Sequence, residues 1–511
     1  MSLNRARLRR AVRRDTFGVD VGGALNLVGA LLRYFSLTFL YPAAIALGYD
    51  EPAWPFFAAG AITAVCGFGL ERVTRGRDRI GPREGFLVVS LTWLLAAGFG
   101  SLPYLFVEPQ LDNPIDALFE TMSGFTTTGA SVLTDNEGIS HSIAMWRQFT
   151  CWLGGMGIVV LALAVLPRLR VGGRQLMEFE APGPELETLT ASVRNSARRL
   201  WLLYVGISAA EILALTLVGL FRLDERMSLY EAVAHTFSTM ATAGFSTQAR
   251  SIEAFGAASQ WVIVLFMFLA GANFALTYRA LVLRRPGALP RDEEFRVYAG
   301  FLALGSLVIF LELVAEGVHA GEEAVRHAVF QAVSIMTTTG FASTDFNLWP
   351  AFTALVLVAL MFVGGSAGST GGAIKPVRFL LLGRLLRREL DQTVHPELVA
   401  PLRFNRALVD ERTLRGVIVF VVLYLAIFAL GALGLMADAA RVNLELSPFE
   451  AVAASATTLG NVGPSFGFAG PMGTFAPFSD VSTVIMTALM WFGRLELIPI
   501  AVLLTRAYWR A

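Results

Sequence analysis

Short strings of threonine and glycine occur four times in the chain, and their residue types could bind a cation. The strings end at Gly129, Gly244, Gly340 and Gly463. A small polar residue stands two positions before each glycine and an alanine stands twelve positions before it, with no gap in any copy. Glycine lets the backbone come close to an ion, and carbonyl or hydroxyl oxygens can replace the ion's hydration shell. The spacing therefore predicts four loops that contribute oxygen atoms to one cation site.

Three consecutive residues of each string are the predicted ion ligands. They are Thr127, Thr128 and Gly129; Thr242, Ala243 and Gly244; Thr338, Thr339 and Gly340; and Asn461, Val462 and Gly463. About twelve residues before each loop could form a helix about 18 Å long, roughly half a bilayer, whose partially negative C-terminal end favours a cation. One such string would be an ordinary turn, but four in register indicate a repeated unit of helix, short helix with loop, and helix.

Two further stretches place unusual residues inside apolar runs. Gly364–Lys375 is too rich in glycine for a regular helix, so its backbone must line a cavity or be buried in protein. Lys375 is the only lysine in the chain, although a lysine at a helix end could simply snorkel to the surface. Arg494 and Glu496 lie inside the last apolar run, where they could pair with each other, bind backbone carbonyls or face a water-filled path.

Apolar helices must position these loops. Of the 511 residues, 55% are hydrophobic and only 16% are charged, and the mean hydropathy is +0.59. An ordinary soluble chain has about 25% charged residues. Nine apolar runs and a shorter tenth, at 55–70, mostly approach the roughly 20 residues that cross a bilayer. We therefore predict an all-α polytopic membrane protein with about ten transmembrane helices.

The distribution of charge predicts the orientation of the chain. Arginines crowd the N-terminus and the segments 72–83, 168–199, 279–296, 378–415 and 506–510, whereas 107–120, 222–231 and 316–326 are rich in acids. By the positive-inside rule the arginine-rich segments and both termini are cytoplasmic. A formal net charge of +1 gives no indication of a nucleic-acid partner. The two cysteines lie in apolar context and imply no disulfide framework.

Enzymatic chemistry finds little support in the sequence. There is no HExxH motif and no P-loop, and no cofactor is predicted. GxSxG patterns surround Ser366 and Ser465, but a nucleophile elbow requires a strand before the serine, and both patterns lie in breaks of membrane segments. The five histidines, His141, His235, His319, His327 and His395, show no metal-ligand spacing, and His235 and His327 are expected to be surface or packing residues. A non-conducting scaffold or receptor is the other class left open.

The four loops resemble those of the Trk/Ktr/HKT superfamily of K⁺ and Na⁺ transporters, and in particular its bacterial TrkH-type branch. Similar stretches cover 152–167, 364–378 and 491–505, so the resemblance extends over nearly the whole chain. It implies four membrane–pore–membrane repeats around a pseudo-fourfold pore, preceded by an extra N-terminal helix pair. The implied boundaries are 1–78 for that pair and 79–175, 176–288, 289–395 and 396–511 for the repeats.

The resemblance also implies a function. Members of this kind take up K⁺ across the bacterial inner membrane as homodimers and are regulated by a cytosolic TrkA-type nucleotide-binding subunit. The arginine-rich segments 168–199, 279–296 and 378–413 would be its docking surface, and the alternative is that their charge only sets the topology. It implies that an intramembrane loop gates the pore and that Arg494 forms a positive barrier below the filter. The implied gate residues are Gly364, Gly365, Ser366, Gly368, Ser369, Thr370, Gly371, Gly372 and Lys375.

Selectivity within the superfamily depends on the first loop. Glycine at all four positions usually accompanies K⁺ selectivity, and Gly129 therefore favours K⁺ over Na⁺. The fourth loop departs from the common pattern, since it reads Gly460-Asn461-Val462-Gly463-Pro464. A Na⁺-conducting member or a K⁺/Na⁺ or K⁺/H⁺ symporter is the alternative. The sequence leaves open the coupling ion, the K⁺/Na⁺ ratio, the regulatory nucleotide and whether the pore is open.

Overall fold

The computed structural model describes residues 19–75, 81–164 and 189–510, and these residues are mostly helical. A small antiparallel hairpin joins β1 (Arg403–Phe404) to β2 (Ala407–Leu408). The arginines of the first 18 residues and most of the basic segment 168–199 lie outside the described residues.

An N-terminal helix pair precedes the repeats, as predicted. It consists of α1 (Val21–Phe35), a 3₁₀ turn (Ser36–Phe39), α2 (Leu40–Gly48) and α3 (Trp54–Val73). The helices approach closely at Gly29 and Gly67, where a Cβ atom on either glycine would lie 2.8 Å from the carbonyl oxygen of the other. Small residues permit such backbone contact between helices in a membrane, where packing drives association.

Four successive groups of helices follow. In each group a short helix, which leads into a predicted filter loop, lies between helices that precede and follow it along the chain. The first two are α4 (Pro82–Gly100), α5 (Leu102–Val107), α6 (Pro114–Phe125) and α7 (His141–Ala164), then α8 (Leu189–Leu220), α9 (Leu229–Ala241), α10 (Ala257–Ala270) and α11 (Phe274–Leu281). The last two are α12 (Glu293–Ala315), α13 (Gly321–Met336), α14 (Ala351–Met361) and α15 (Pro376–Val394), then α16 (Glu411–Val442), α17 (Pro448–Gly460), α18 (Asp480–Arg494), α19 (Ile498–Leu503) and α20 (Arg506–Trp509). Short 3₁₀ turns occupy Pro109–Leu111, Ser251–Ala254, Pro286–Ala288, Phe346–Leu348 and Gly467–Ala469.

The short helices α6, α9, α13 and α17 begin with side-chain caps or acidic first turns and end at the predicted loops. The side chains of Asn113, Ser228 and Ser447 accept hydrogen bonds from backbone N–H groups of the first turns of α6, α9 and α17. The four helices contain 12, 13, 16 and 13 residues. At 1.5 Å per residue they cross about half of a bilayer, as the sequence predicts.

Membrane-spanning helices are long in some places and interrupted in others. Among the described residues, six helical segments are long and apolar enough to cross a bilayer. A seventh candidate is α10 with α11, which are bent by 110° relative to each other. The helix α14 has 11 residues and α18 has 15, and both end at breaks. Several of the ten predicted apolar runs are therefore broken helices, and the chain is an all-α polytopic membrane protein.

Candidate ion filter and the loop beneath it

The four predicted loops lie side by side and close a ring. A Cβ atom built on each filter glycine would meet the backbone carbonyl oxygen of the residue that precedes the glycine of the next loop. The pairs are Gly129 with Ala243, Gly244 with Thr339, Gly340 with Val462 and Gly463 with Thr128. The contacts run from repeat 1 to 2, 2 to 3, 3 to 4 and back to 1, so the pseudo-fourfold order of the sequence is also the order in space.

The backbone of each loop alternates between positive and negative φ. The residue two positions before the glycine has φ of 53° at Thr127, 54° at Thr242, 60° at Thr338 and 56° at Asn461. The four glycines have φ between 75° and 115°. The residue just before each glycine does not have positive φ. Positive φ is a genuine outlier for the β-branched threonine, and such strain clusters at ligand sites. The four loops therefore share one alternating backbone conformation, which repeats at the same three positions in each repeat.

Hydroxyl groups of the filter residues brace the loops against one another. The Oγ1 atoms of Thr126 and Thr128 are 2.8 Å apart in the first loop, and those of Thr337 and Thr339 are 2.8 Å apart in the third. The Asn461 side chain donates to Thr128 Oγ1 at 3.0 Å, which ties the fourth loop to the first. The divergent residue of the fourth loop thus closes the ring with a side-chain bond of its own.

Each of the first three pore helices also holds the segment that follows its own filter glycine. The residue nine positions before the glycine is Glu120, His235 or Gln331, and each is fully buried. Glu120 accepts hydrogen bonds from Ser131 Oγ and the Val132 backbone N–H, His235 Nε2 lies 2.9 Å from Ser246 Oγ, and Gln331 Nε2 donates to Ser343 Oγ at 3.3 Å. The prediction that His235 is a surface or packing residue is incomplete, because this histidine makes a specific polar bond. We call these contacts the post-filter clamps.

The first clamp includes a buried ion pair, and the fourth repeat lacks the clamp. Arg147 of α7 donates to Glu120 Oε1 at 2.7 and 2.8 Å and stacks on the ring of Phe245 at 4.3 Å. At the equivalent position of the fourth repeat stands Ala454, and Ser465 Oγ has no hydrogen-bond partner among the described residues. Sequence comparison by residue identity missed the clamps, because three different polar residues fill the same register.

The glycine-rich stretch forms a loop between α14 and α15 that fills the break between α10 and α11. The Ser366 backbone N–H donates to Gly271 O at 2.8 Å, and the Phe274 N–H donates to Gly368 O at 3.1 Å. The Asn273 side chain donates to Ala367 O at 2.8 Å. Irregular backbone within a membrane-spanning protein must find hydrogen-bond partners in the protein or in a water-filled cavity, and here the protein supplies these partners. We call residues 364–375 the intramembrane loop.

The intramembrane loop touches the filter itself. The Gly372 N–H donates to Thr338 Oγ1 at 2.7 Å, and Thr242 Oγ1 donates to Thr370 Oγ1 at 3.2 Å. A Cβ atom on Gly372 would collide with the carbonyl oxygen of Gly460, at the C-terminal end of α17. The loop therefore lies against the filter at the C-terminal ends of three pore helices.

The two basic side chains predicted to lie inside apolar runs, those of Lys375 and Arg494, both donate hydrogen bonds to this loop. Lys375 is buried, and its Nζ donates to the backbone carbonyls of Gly371 and, at 3.3 Å, Gly372. It does not snorkel. Arg494 is 2% exposed and donates to Thr370 O at 2.7 Å and to Gly154 O at 3.2 Å. Glu496 pairs with Arg378 at 2.6 Å. Arg494 thus binds backbone carbonyls, while Glu496 has another arginine as its partner.

The remaining sequence motifs are the two GxSxG patterns and the arginine-rich segments. Ser366 lies in the intramembrane loop and Ser465 in the fourth filter loop, and a helix rather than a strand precedes each.

In the described parts of the basic segments, Arg384 pairs with Glu293 at 2.8 Å and Arg388 with Glu411 at 2.5 Å. Some of the predicted docking arginines are thus engaged within the chain.

Comparison with known proteins agrees with this architecture. The sequence profile of the TrkH family, described as a cation transport protein, matches residues 55–510. The Trk system potassium uptake protein TrkH of Vibrio parahaemolyticus serotype O3:K6 is 37% identical over 494 residues, which cover 95% of this chain and 99% of that protein. The protein of the same name from Escherichia coli K12 is 36% identical over 493 residues, covering 95% and 98%.

A solved structure extends the similarity to the fold. The crystal structure of the potassium transporter TrkH from Vibrio parahaemolyticus matches with a TM-score of 0.86 at 34% identity, covering 96% of this chain and 100% of that chain. The profile spans most of the sequence, and the relatives are matched over nearly their full lengths. The chain belongs to the TrkH family of cation transport proteins.

Proposed function

We propose that the chain carries K⁺ across the bacterial inner membrane through the ring of four filter loops. The observation that carries this proposal is the closed cycle of glycine–carbonyl contacts, which brings backbone oxygens from all four repeats around one axis. The four pore helices end at this ring with their partially negative termini, which favours a cation over an anion. The names of the relatives, Trk system potassium uptake proteins, support K⁺ as the cargo.

Selectivity for K⁺ would depend on the absence of a side chain at Gly129. A Cβ atom there collides with Ala243 O, so any other residue must displace an oxygen of the ring. The alternative cargo is Na⁺, alone or in symport with K⁺, and K⁺ coupled to H⁺ is a further form of the same proposal.

The intramembrane loop is the proposed gate. Residues Gly364 to Lys375 lie against the filter, and Arg494 donates to Thr370 O from the neighbouring repeat. In this arrangement the loop would obstruct the path below the filter, and movement of the loop would open it. Arg494 would then act in two ways, as a positive charge on the path and as a bond that holds the loop in place.

Family membership and the charge distribution support a proposal for the assembly. We propose a homodimer with both termini in the cytoplasm and with repeats bounded at 79–175, 176–288, 289–395 and 396–511. A cytosolic TrkA-type nucleotide-binding subunit would bias the gate by binding one of its states better than the other. Exposed apolar residues such as Leu47, Leu220 and Leu433 would face the lipid bilayer.

Uptake of ⁸⁶Rb⁺ into proteoliposomes tests the function directly. Vesicles loaded with K⁺ should accumulate external ⁸⁶Rb⁺, and external K⁺ should compete with it much better than Na⁺. The same assay with and without a pH gradient or a Na⁺ gradient separates channel-like flow from symport. Uptake equal to that of protein-free vesicles would overturn the proposal, and equal competition by Na⁺ would favour the alternative cargo.

A further inference from the structure

Three potential metal ligands converge where the pore helix of the third repeat begins. His319 lies just before α13, while Glu323 and His327 lie in its first two turns. Their ligand atoms all lie within 4.8 Å of one another. Glu323 Oε1 is 3.4 Å from His319 Nδ1 and 3.7 Å from His327 Nε2.

We propose that His319, Glu323 and His327 form a binding site for a divalent transition-metal ion, with Zn²⁺ as the test ion. Two imidazoles and one carboxylate are a common protein ligand set for zinc, with a fourth position left to water. Bonds of about 2.0–2.1 Å in a tetrahedron place neighbouring ligand atoms about 3.3–3.4 Å apart. The two distances from the carboxylate oxygen are close to that value, and the ligand atoms all lie within 4.8 Å of one another, so side-chain rotations that bring the two imidazoles closer together would complete the site.

The partner of His327 fixes which of its ring nitrogens is available. Ser343 Oγ lies 2.8 Å from His327 Nδ1, which leaves Nε2 directed at Glu323. Metal-binding histidines usually have their second nitrogen bonded in this way, because the bond fixes the tautomer and the ring orientation. Exposure increases outward across the site, from 7% for the His327 side chain to 55% for that of Glu323. A metal ion could therefore enter from solvent and keep a water ligand.

The chain reversal before α13 explains why the spacing did not indicate a metal site. Histidines eight residues apart in one helix would be about 12 Å apart along its axis. Here His319 precedes the helix, in a connection where Gly317 and Gly321 have φ of 67° and 60°. The ring centroids of His319 and His327 come to 4.8 Å of each other. The sequence-based conclusion that the histidines lack metal-ligand spacing is therefore wrong for this pair.

Two features oppose a cation at this place, and both are offset. The N-terminal end of a helix is partially positive, which costs a bound cation about 0.3–1 kcal/mol, but the carboxylate of Glu323 lies in that first turn. Arg326 is nearby, yet its guanidinium bonds to Glu322 and to Gln260 Oε1. Glu323 is therefore not the carboxylate that this arginine binds.

A bound metal would act on the filter through the third post-filter clamp. Ser343, which bonds to His327, also accepts from Gln331 and lies three residues beyond Gly340. A metal ion would hold α13, the preceding connection and this segment in one arrangement and would add positive charge there. We therefore expect it to reduce K⁺ flux from the outer side, and this expectation rests on the proposed function and orientation.

Binding is measured on the purified full-length protein after removal of any affinity tag. Titration calorimetry with Zn²⁺ should give about one ion per chain, and Co²⁺ should give the intense visible bands of a four-coordinate site. His319→Ala and Glu323→Gln should each weaken Zn²⁺ binding at least about tenfold. His395→Ala, which removes an exposed histidine remote in sequence, is the matched control and should leave binding unchanged. Absence of stoichiometric binding, or equal binding by all variants, would overturn the site.

Flux tests the coupling separately. External Zn²⁺ should slow ⁸⁶Rb⁺ uptake by wild-type protein and have little effect on His319→Ala, whose metal-free uptake should equal that of wild type. Stoichiometric binding without any change in flux would overturn the coupling to the filter. Loss of uptake in metal-free wild-type protein would contradict the proposed transport function, and calorimetry would still decide the metal site.

Discussion

Gly129 leaves no room for a side chain, since the carbonyl oxygen of Ala243 occupies the position of a Cβ atom. We expect Gly129→Ser to displace this oxygen and to lower the preference for K⁺ over Na⁺, because the geometry of the carbonyl ring sets selectivity. Competition of Na⁺ with ⁸⁶Rb⁺ uptake measures the change.

Gly300→Ser is the matched control for this substitution. Gly300 lies exposed on α12, and no atom of the described residues lies within 4 Å of its Cβ position, so its replacement should leave the K⁺/Na⁺ ratio unchanged. A folded Gly129→Ser variant that keeps the wild-type ratio would show that this glycine is not part of the selectivity filter.

Arg494 combines a charge with two hydrogen bonds to backbone carbonyls. Two unit charges about 4 Å apart interact by about 4 kcal/mol at an effective dielectric constant near 20, and water in the path would reduce this. We expect Arg494→Ala and Arg494→Gln to raise ⁸⁶Rb⁺ uptake severalfold at equal protein density.

Arg494→Lys separates the two contributions because it keeps the charge and loses the planar guanidinium. Uptake near wild type for Arg494→Lys would assign the effect to charge, and uptake near that of Arg494→Ala would assign it to the bonds with Thr370 and Gly154. Uptake by Arg494→Ala at or below the wild-type level would contradict both roles.

The sequence predicts the filter loops because the same residue types recur in them. It does not predict the post-filter clamps, in which different residue types make equivalent contacts. The glycine recurs in all four loops and a threonine stands two positions before it in three of them, so their alignment predicts the ring. Glu120, His235 and Gln331 all bond to the segment after the filter glycine, although their side chains are of three different types. The contact between His327 and Ser343 likewise forms only when the loop folds back onto its helix. Such contacts depend on tertiary register, which single-sequence periodicity does not contain.

The intramembrane loop is held by both its backbone and its side chains, so its opening must break specific bonds. Deletion of Ser366–Ser369 should raise uptake and leave ion preference similar, but it also removes the Ser366 and Gly368 bonds to the break between α10 and α11. We therefore expect some loss of thermal stability in detergent along with a higher open probability in single-channel recordings. A stable deletion variant with unchanged open probability would contradict a gating role.

Lys375→Met is a milder test of the same element. The methionine keeps an unbranched apolar chain but cannot donate to Gly371 O and Gly372 O. We expect higher uptake with the K⁺/Na⁺ ratio preserved, because the loop is loosened while the filter oxygens are untouched. Lys375→Arg keeps a donor and a charge and should lie closer to wild type. A lower K⁺/Na⁺ ratio in Lys375→Met would instead assign the lysine to the filter.

Of three breaks between helices, the glycine content of the sequence predicts one and gives no sign of the other two. The intramembrane loop was predicted because nearly every residue in it is small. The bend between α10 and α11 needs only Gly271-Ala272-Asn273, a short string that does not stand out in an apolar run. The break between α18 and α19 has φ of 56° at Glu496 and 60° at Leu497, residue types that rarely adopt this conformation. Glu496 pairs with Arg378 at this break, and no local sequence pattern indicates the break.

All four predicted filter loops belong to one chain, so the four repeats can differ in sequence while the ring of loops stays closed. Glu120 and Arg147 join α6 to α7, and the Arg147 guanidinium stacks on Phe245 in the second filter loop. The pair therefore links repeat 1 to repeat 2 in the interior, whereas the fourth repeat has Ala454 in the same register and relies on Asn461 instead.

This asymmetry leads to a prediction about stability. Glu120→Ala leaves Arg147 buried without its carboxylate, and breaking a buried ion pair costs about 3–5 kcal/mol. Thermal unfolding in detergent should show a large drop for Glu120→Ala, together with reduced uptake, because Ser131 and Val132 lose their acceptor. Glu120→Ala combined with Arg147→Met should be destabilised much less than the sum of the two single changes, since no buried charge is then left unpaired. Additive effects would mean that the two residues stabilise the ring independently, and the link between repeats would then lie in the stacking of Arg147 on Phe245.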